Sequence, residues 1–91
     1  MRFVTGADDE LLSRVAADPA DHQARYDLSL AQAASGDLKA AVDSLLTIVT
    51  ADREWNEQAA RKQLLVVFEA AGATSDVARD GRRRLSSILF A

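Results

Sequence analysis

The chain has no cysteine, a single proline, a single histidine and only five aromatic residues. The missing thiols exclude disulfides, cysteine nucleophiles and thiolate metal sites together, and they fit a reducing compartment. The one histidine, His22, stands beside Asp21 with no second imidazole and no organised partner. Neither a metal centre nor a general base is therefore expected. With so little proline and no alternating run of β-branched residues, no stretch reads as a strand. No apolar run approaches the roughly 20 residues that cross a bilayer, and the opening MRFVTGADDE lacks the apolar core of a signal peptide. The expectation is a soluble, cytoplasmic protein with no enzymatic activity, cofactor or metal.

What remains is alanine, leucine and charge. At 91 residues the chain holds one domain with a single modest core. Its apolar residues make up 48 % of the chain, and the dominance of Ala and Leu suits close-packed helices. The net charge of −3 is unevenly spread. Residues 1–75 carry seven Lys and Arg against twelve Asp and Glu, whereas residues 76–91 carry four Arg against two Asp. An acidic body thus ends in a basic helix. A pI of about 5.0 repels nucleic acid overall, and a short helix with its arginines bunched in one turn suits a membrane surface poorly. Neither is an expected partner.

The stretch from Ala24 to Asp52 organises the rest. Tyr26, Leu28, Leu30, Ala31 and Ala34 recur on one face of a helix, and Leu38, Ala41, Val42, Leu45, Leu46, Ile48 and Val49 on one face of the next. Gly36-Asp37 supplies the turn, since glycine accepts the left-handed conformation that ends a helix. Ahead of this hairpin a short helix is expected over residues 8–17, with Asp8, Asp9 and Glu10 at its positive end. Leu11, Leu12, Val15 and Ala16 would form its buried stripe. Residues 1–7 read as a disordered start or a remnant of cloning, or else Phe3 and Val4 pack locally. Asp18 is placed to cap a helix that Pro19 begins.

After the hairpin, a polar connector around Trp55 leads to a fourth helix from Asn56 or Glu57 to Ala71. Ala60, Leu64, Leu65, Val67 and Phe68 should face inward, and Gly72 should end the helix. Thr74, Ser75 and Asp76 offer caps for a fifth helix over Asp76–Phe90, with Val77, Leu85, Ile88 and Leu89 as its apolar set. Gly81 inside it costs about 1 kcal/mol against alanine, which makes this helix the least secure. The fold class is all-α, a right-handed stack of about five helices arranged as helical hairpins.

Gly36 and Gly72 lie 36 residues apart, close to the period of about 34 in tetratricopeptide repeats. Residues 22–53 resemble such a repeat: Leu28, Gly36-Asp37, Ala41 and Leu45 fall on its signature leucine, glycine-aspartate, alanine and large apolar positions. Arg25 stands where that signature has tryptophan, Ser29 where it has glycine and Arg53 where it has proline. In the second repeat Val77 takes the small position and Gly81 the large one. A narrower resemblance covers residues 8–90. The run DPADHQARYDLSLAQAASGDLKAAVDSLLTIVTADREWNEQAARKQLLVVFEAAG, followed by RRRLSSILF, is similar to the carboxy-terminal tetratricopeptide-like domain of YbbN-type thioredoxin-like co-chaperones, also called chaperedoxins. Its most specific pieces are Asp18-Pro19, Ala24-Arg25-Tyr26-Asp27-Leu28, Asp52-Arg53, Trp55, Ala60-Arg61-Lys62 and Arg82-Arg83-Arg84-Leu85. The resemblance implies a helper of protein folding that holds unfolded clients and passes them to a GroEL-type chaperonin. It puts the chaperonin contact on the last helix, at Arg82, Arg83, Arg84, Leu85, Ile88, Leu89 and Phe90.

Each of these features also has a plainer reading. The apolar residues of the last helix could close the core, and its arginines could form a solvated face. Trp55 could anchor a partner or staple the connector onto helices three and four, the reading favoured here. Arg61 and Lys62 could line the groove in which repeat proteins hold peptides. The second helix offers Tyr26 and Leu30 at the corresponding places, which do not suit a clamp for C-terminal carboxylates. A rival function is purely structural: repeats that pack against further repeats or self-associate, as a homodimer, through the Leu11, Leu12 and Val15 face.

Overall fold

The computed structural model describes residues 3–90, with side chains from Asp9 onward. Of the expected disordered start, residues 1–2 and the packing of the Phe3 and Val4 side chains fall outside the described residues, whereas residues 3–7 are helical, so the first helix begins before the expected residue 8. Five α-helices follow one another: α1 (Phe3–Ala17), α2 (His22–Ala34), α3 (Leu38–Ala51), α4 (Trp55–Ala71) and α5 (Asp76–Phe90). No strand occurs among the described residues. The fold is all-α, as the helical periodicity implies.

Local chemistry sets most of the boundaries. Gly36 and Gly72 both adopt positive φ, +92° and +99°, and end α2 and α4 where a side chain would be strained. Asp37 caps α3 by accepting a hydrogen bond from Ala40 N at 3.2 Å, and Ser75 caps α5 by accepting one from Ala78 N at 3.2 Å. The cap of α2 differs from expectation. Asp18 does not begin that helix; its carboxylate accepts from Ala20 N at 3.1 Å and closes a turn with Pro19. Asp21 takes the capping role, accepting from Ala24 N at 3.0 Å. That bond, helped by Arg14, holds the Asp21 carboxyl below its ordinary value. Its contribution to stability is thus present above the ordinary aspartate range and fades as pH falls through the lowered value. Asp37→Ala should cost about 1 kcal/mol, read as a lower urea midpoint, while Asp37→Asn should keep most of that.

The core is built around α3, which packs against α2, α4 and α5. Its Ala41, Val42, Leu45, Leu46, Ile48 and Val49 are buried together with Ala60, Leu64, Val67 and Phe68 of α4 and Ala78 and Leu85 of α5. Fully burying each of the larger aliphatic side chains is worth about 1.5–3 kcal/mol. Leu28 and Leu64, one repeat apart, are both buried. Two buried serines escaped the apolar pattern. Ser29 donates to Tyr26 O at 2.6 Å, and Ser44 donates to Gln32 Oε1 at 2.8 Å, tying α3 to α2.

Some expected core positions are open instead. Leu12 is 50 % exposed and Leu65 51 %, Leu30, Ala16 and Ala34 are exposed, and Leu11 and Val15 are half-buried. The reason is geometric. Among the described residues α1 touches α2 alone, so part of its apolar stripe faces no neighbour. On α4, Leu64, Val67 and Phe68 suffice to fill the face toward α3 and α5, leaving Leu65 outside.

Candidate functional site

Among the described residues, the connector between α3 and α4 and the first turn of α4 make the sharpest departure from regular backbone. Asp52 ends α3 in an extended conformation, and its carboxylate accepts from Glu54 N at 3.1 Å. Trp55 N then donates to Asp52 O at 3.1 Å. Asn56, Glu57 and Gln58 follow with φ of 48°, 56° and 65°, a left-handed turn of three non-glycine residues that costs about 1–2 kcal/mol each. The Trp55 ring secures this stretch. It lies 5.6 Å from the Tyr26 ring and meets His22 edge-on at 6.1 Å, so its ring contacts grip α2, a helix the expected staple onto helices three and four does not include.

Arg53 reaches from the connector across to α5, where its Nη1 donates to Leu89 O at 3.0 Å. A cation there satisfies a terminal carbonyl and suits the negative end of the helix. Arg61, a turn into α4, makes only a long contact of 3.4 Å to Gln58 Oε1. Arg53, Glu54, Gln58, Arg61, Leu89 and Phe90 together enclose an open pocket of about 370 Å³. Phe90 is 83 % exposed, the most open large apolar side chain described.

The structure brings together three of the residues expected at a binding surface, Arg61, Leu89 and Phe90. It spreads the arginines of α5 to different sides. Arg82 donates to Ala73 O at 2.6 Å and lies 6.0 Å over the Phe68 ring, closing the α4–α5 loop. Arg83 pairs with Asp80 one turn back. Arg84 turns the other way to Asp43 on α3, at 2.8 Å; that hydrogen bond, then the charges of Asp43 and Asp80, raise it above the ordinary arginine range. Leu85 is in the core and Ile88 and Leu89 are packed against it. Trp55 is half-buried, and Lys62 is exposed.

Sequence reasoning missed Arg53, Glu54 and Gln58 as parts of this site. The available signal was Arg53 itself, an arginine where the repeat signature has proline. No group of three or more metal-ligating side chains gathers among the described residues, and no described helix is long and apolar enough to cross a membrane.

The comparison with known families decides the architecture. A family model described as a tetratricopeptide repeat matches residues 5–90. The chain belongs to the tetratricopeptide repeat family. The first tetratricopeptide hairpin is α2–α3, the second α4–α5, and α1 leads into them. Tetratricopeptide repeats are a non-catalytic interaction fold that generally mediates contacts between proteins. Neither the curated proteins nor the solved structures gave a match.

Proposed function

We propose that this domain is the non-catalytic protein-binding module of a thioredoxin-like co-chaperone, contacting a GroEL-type chaperonin, unfolded client proteins or both. The observation that carries this reading is Phe90, held in water beside Leu89 at the end of a helix otherwise braced on two sides. An aromatic side chain exposed on a rigid support is the kind of group that anchors an interface. Arg53 and Arg61 line the pocket beside it, and a cytoplasmic setting follows from the partner.

The test is binding of the chain to a purified GroEL-type chaperonin by interferometry. Deleting residues 82–91 would also strip Leu85 from the core, so Phe90→Ser is the cleaner variant. It should keep its circular dichroism and weaken binding by about tenfold or more. Unchanged binding, or none by the native chain, would remove the chaperonin from this reading.

The second reading is self-association through α1, favoured by the half-exposed Leu12 on a helix that, among the described residues, packs on α2 alone. A dimer that strengthens with concentration in sedimentation, and disappears on Leu12→Ser, would put that structural role first.

A further inference from the structure

Charge pairing among the described residues leaves Arg25, Arg53, Arg61, Arg79 and Arg82 without a carboxylate, and two of these, Arg53 and Arg61, line one pocket. Arg14 contacts Asp21, Lys39 contacts Asp43, Arg83 contacts Asp80, and Arg84 contacts both Asp43 and Asp80. Among the described residues neither Arg53 nor Arg61 has a carboxylate partner, although the chain has fourteen acidic residues to eleven basic ones. Both line the same pocket, where Glu54 is the one carboxylate. In a protein acidic overall, this is a local excess of positive charge with donors unused.

The other wall is apolar. Leu89 is half-buried and Phe90 stands in water. The Arg53–Leu89 O bond joins the two walls, holding one cation in register with the apolar shelf. A group fixed before the ligand arrives loses less freedom on binding. A space of about 370 Å³ takes a few side chains and not a whole helix. Arg forks match planar carboxylates, and a bare phosphate would leave Phe90 uncovered.

We infer that the pocket between the α3–α4 connector and the end of α5 binds an acidic peptide segment of a partner protein. A side-chain carboxylate sits between Arg53 and Arg61, and the large apolar side chain beside it covers Leu89 and Phe90. This rests on the interaction-module reading and names the chemistry of the segment bound. Salt weakens the contact, because the pocket is open to solvent.

The test uses the isotope-labelled chain in nuclear magnetic resonance titrations at low salt. The probes are the blocked peptide Ac-Gly-Asp-Leu-Phe-Gly-NH2, its counterpart with Asn for Asp, and inorganic phosphate. The Asp peptide should give saturable shifts centred on residues 53–61 and 89–90, and the Asn peptide should bind about tenfold more weakly. Arg61→Gln, whose side chain makes no contact with α5 that folding needs, should bring both peptides to the weaker level with an unchanged melting curve. Equal affinity for the two peptides, shifts centred elsewhere, full binding by Arg61→Gln, or phosphate alone reproducing the pattern would each overturn the inference. Chaperonin binding without peptide discrimination would sink the pocket chemistry alone. Discrimination without chaperonin binding would sink the co-chaperone reading alone.

Discussion

Leu45→Ala is expected to lower the stability of this domain by about 3–4 kcal/mol, within the range measured for buried Leu→Ala changes. Leu45 is fully buried on the helix that α2, α4 and α5 all contact. Three neighbours anchored by their own caps and turns cannot easily collapse into the space left behind. The small gain in helix propensity from alanine, a few tenths of a kcal/mol, does not offset this. Domains of this size are stable by about 5–15 kcal/mol and bury proportionately less surface than larger ones, so the loss is a large fraction of the whole. At about 4–8 °C per kcal/mol, the melting temperature should fall by about 12–30 °C. Leu12→Ala makes the same chemical change at a half-exposed site with one neighbouring helix, and it should cost less than about 1 kcal/mol. Thermal and urea melts of the two variants side by side test the ranking. Similar losses would mean that α3 is not the centre of the core.

The difference between those two leucines marks what the sequence can and cannot disclose. Periodicity identifies the apolar face of each helix, and local chemistry places its ends. Hence α3 begins at its cap Asp37, α4 ends at Gly72 and α5 begins after the caps before Asp76. Periodicity does not say which faces have a neighbour, and Leu12, Leu30 and Leu65 carry the right spacing with nothing over them. The cap of α2 moved because Asp18 and Asp21 are chemically equal candidates, and a proline turn used the first. The candidate site was the least legible part. Arg84 and Asp43 are 41 residues apart, Arg53 and Leu89 are 36 apart, and no local pattern announces such meetings. Three adjacent arginines read as one basic patch; on the helix Arg82 turns to Ala73 O, Arg83 to Asp80, and Arg84 to Asp43 as well as Asp80. The left-handed turn at Asn56–Gln58 was equally hidden, since nothing there is glycine.

Gly81→Ala is expected to destabilise, opposite to what helix propensity says. Propensity alone makes alanine better by about 1 kcal/mol inside a helix, the ground on which α5 looked insecure. In the folded chain Gly81 is buried directly under the Phe68 ring. A Cβ there would fall on Phe68 Cε1, 2.9 Å from its Cζ and 3.3 Å from Val42 Cγ1. Phe68 is itself buried, so the ring cannot swing into solvent to make room. Overpacking of this kind costs about 1–3 kcal/mol, leaving a net loss of up to about 2 kcal/mol and a melting temperature lower by up to about 15 °C. The repeat offset of 36 residues explains how the glycine came to be tolerated. Gly81 corresponds to Leu45, and Phe68 corresponds to Gln32. The second hairpin therefore exchanges the sizes, putting a ring from α4 where the first hairpin uses a leucine from α3. It follows that shrinking the ring should relieve the clash. Phe68→Leu alone should destabilise by about 1–2 kcal/mol, but Gly81→Ala added to it should cost nothing further. That is a favourable coupling of about 1 kcal/mol or more in a double-mutant cycle. Strict additivity of the two changes, or a Gly81→Ala variant more stable than the native chain, would mean that the ring yields and that glycine at this position is only a weak point in the helix.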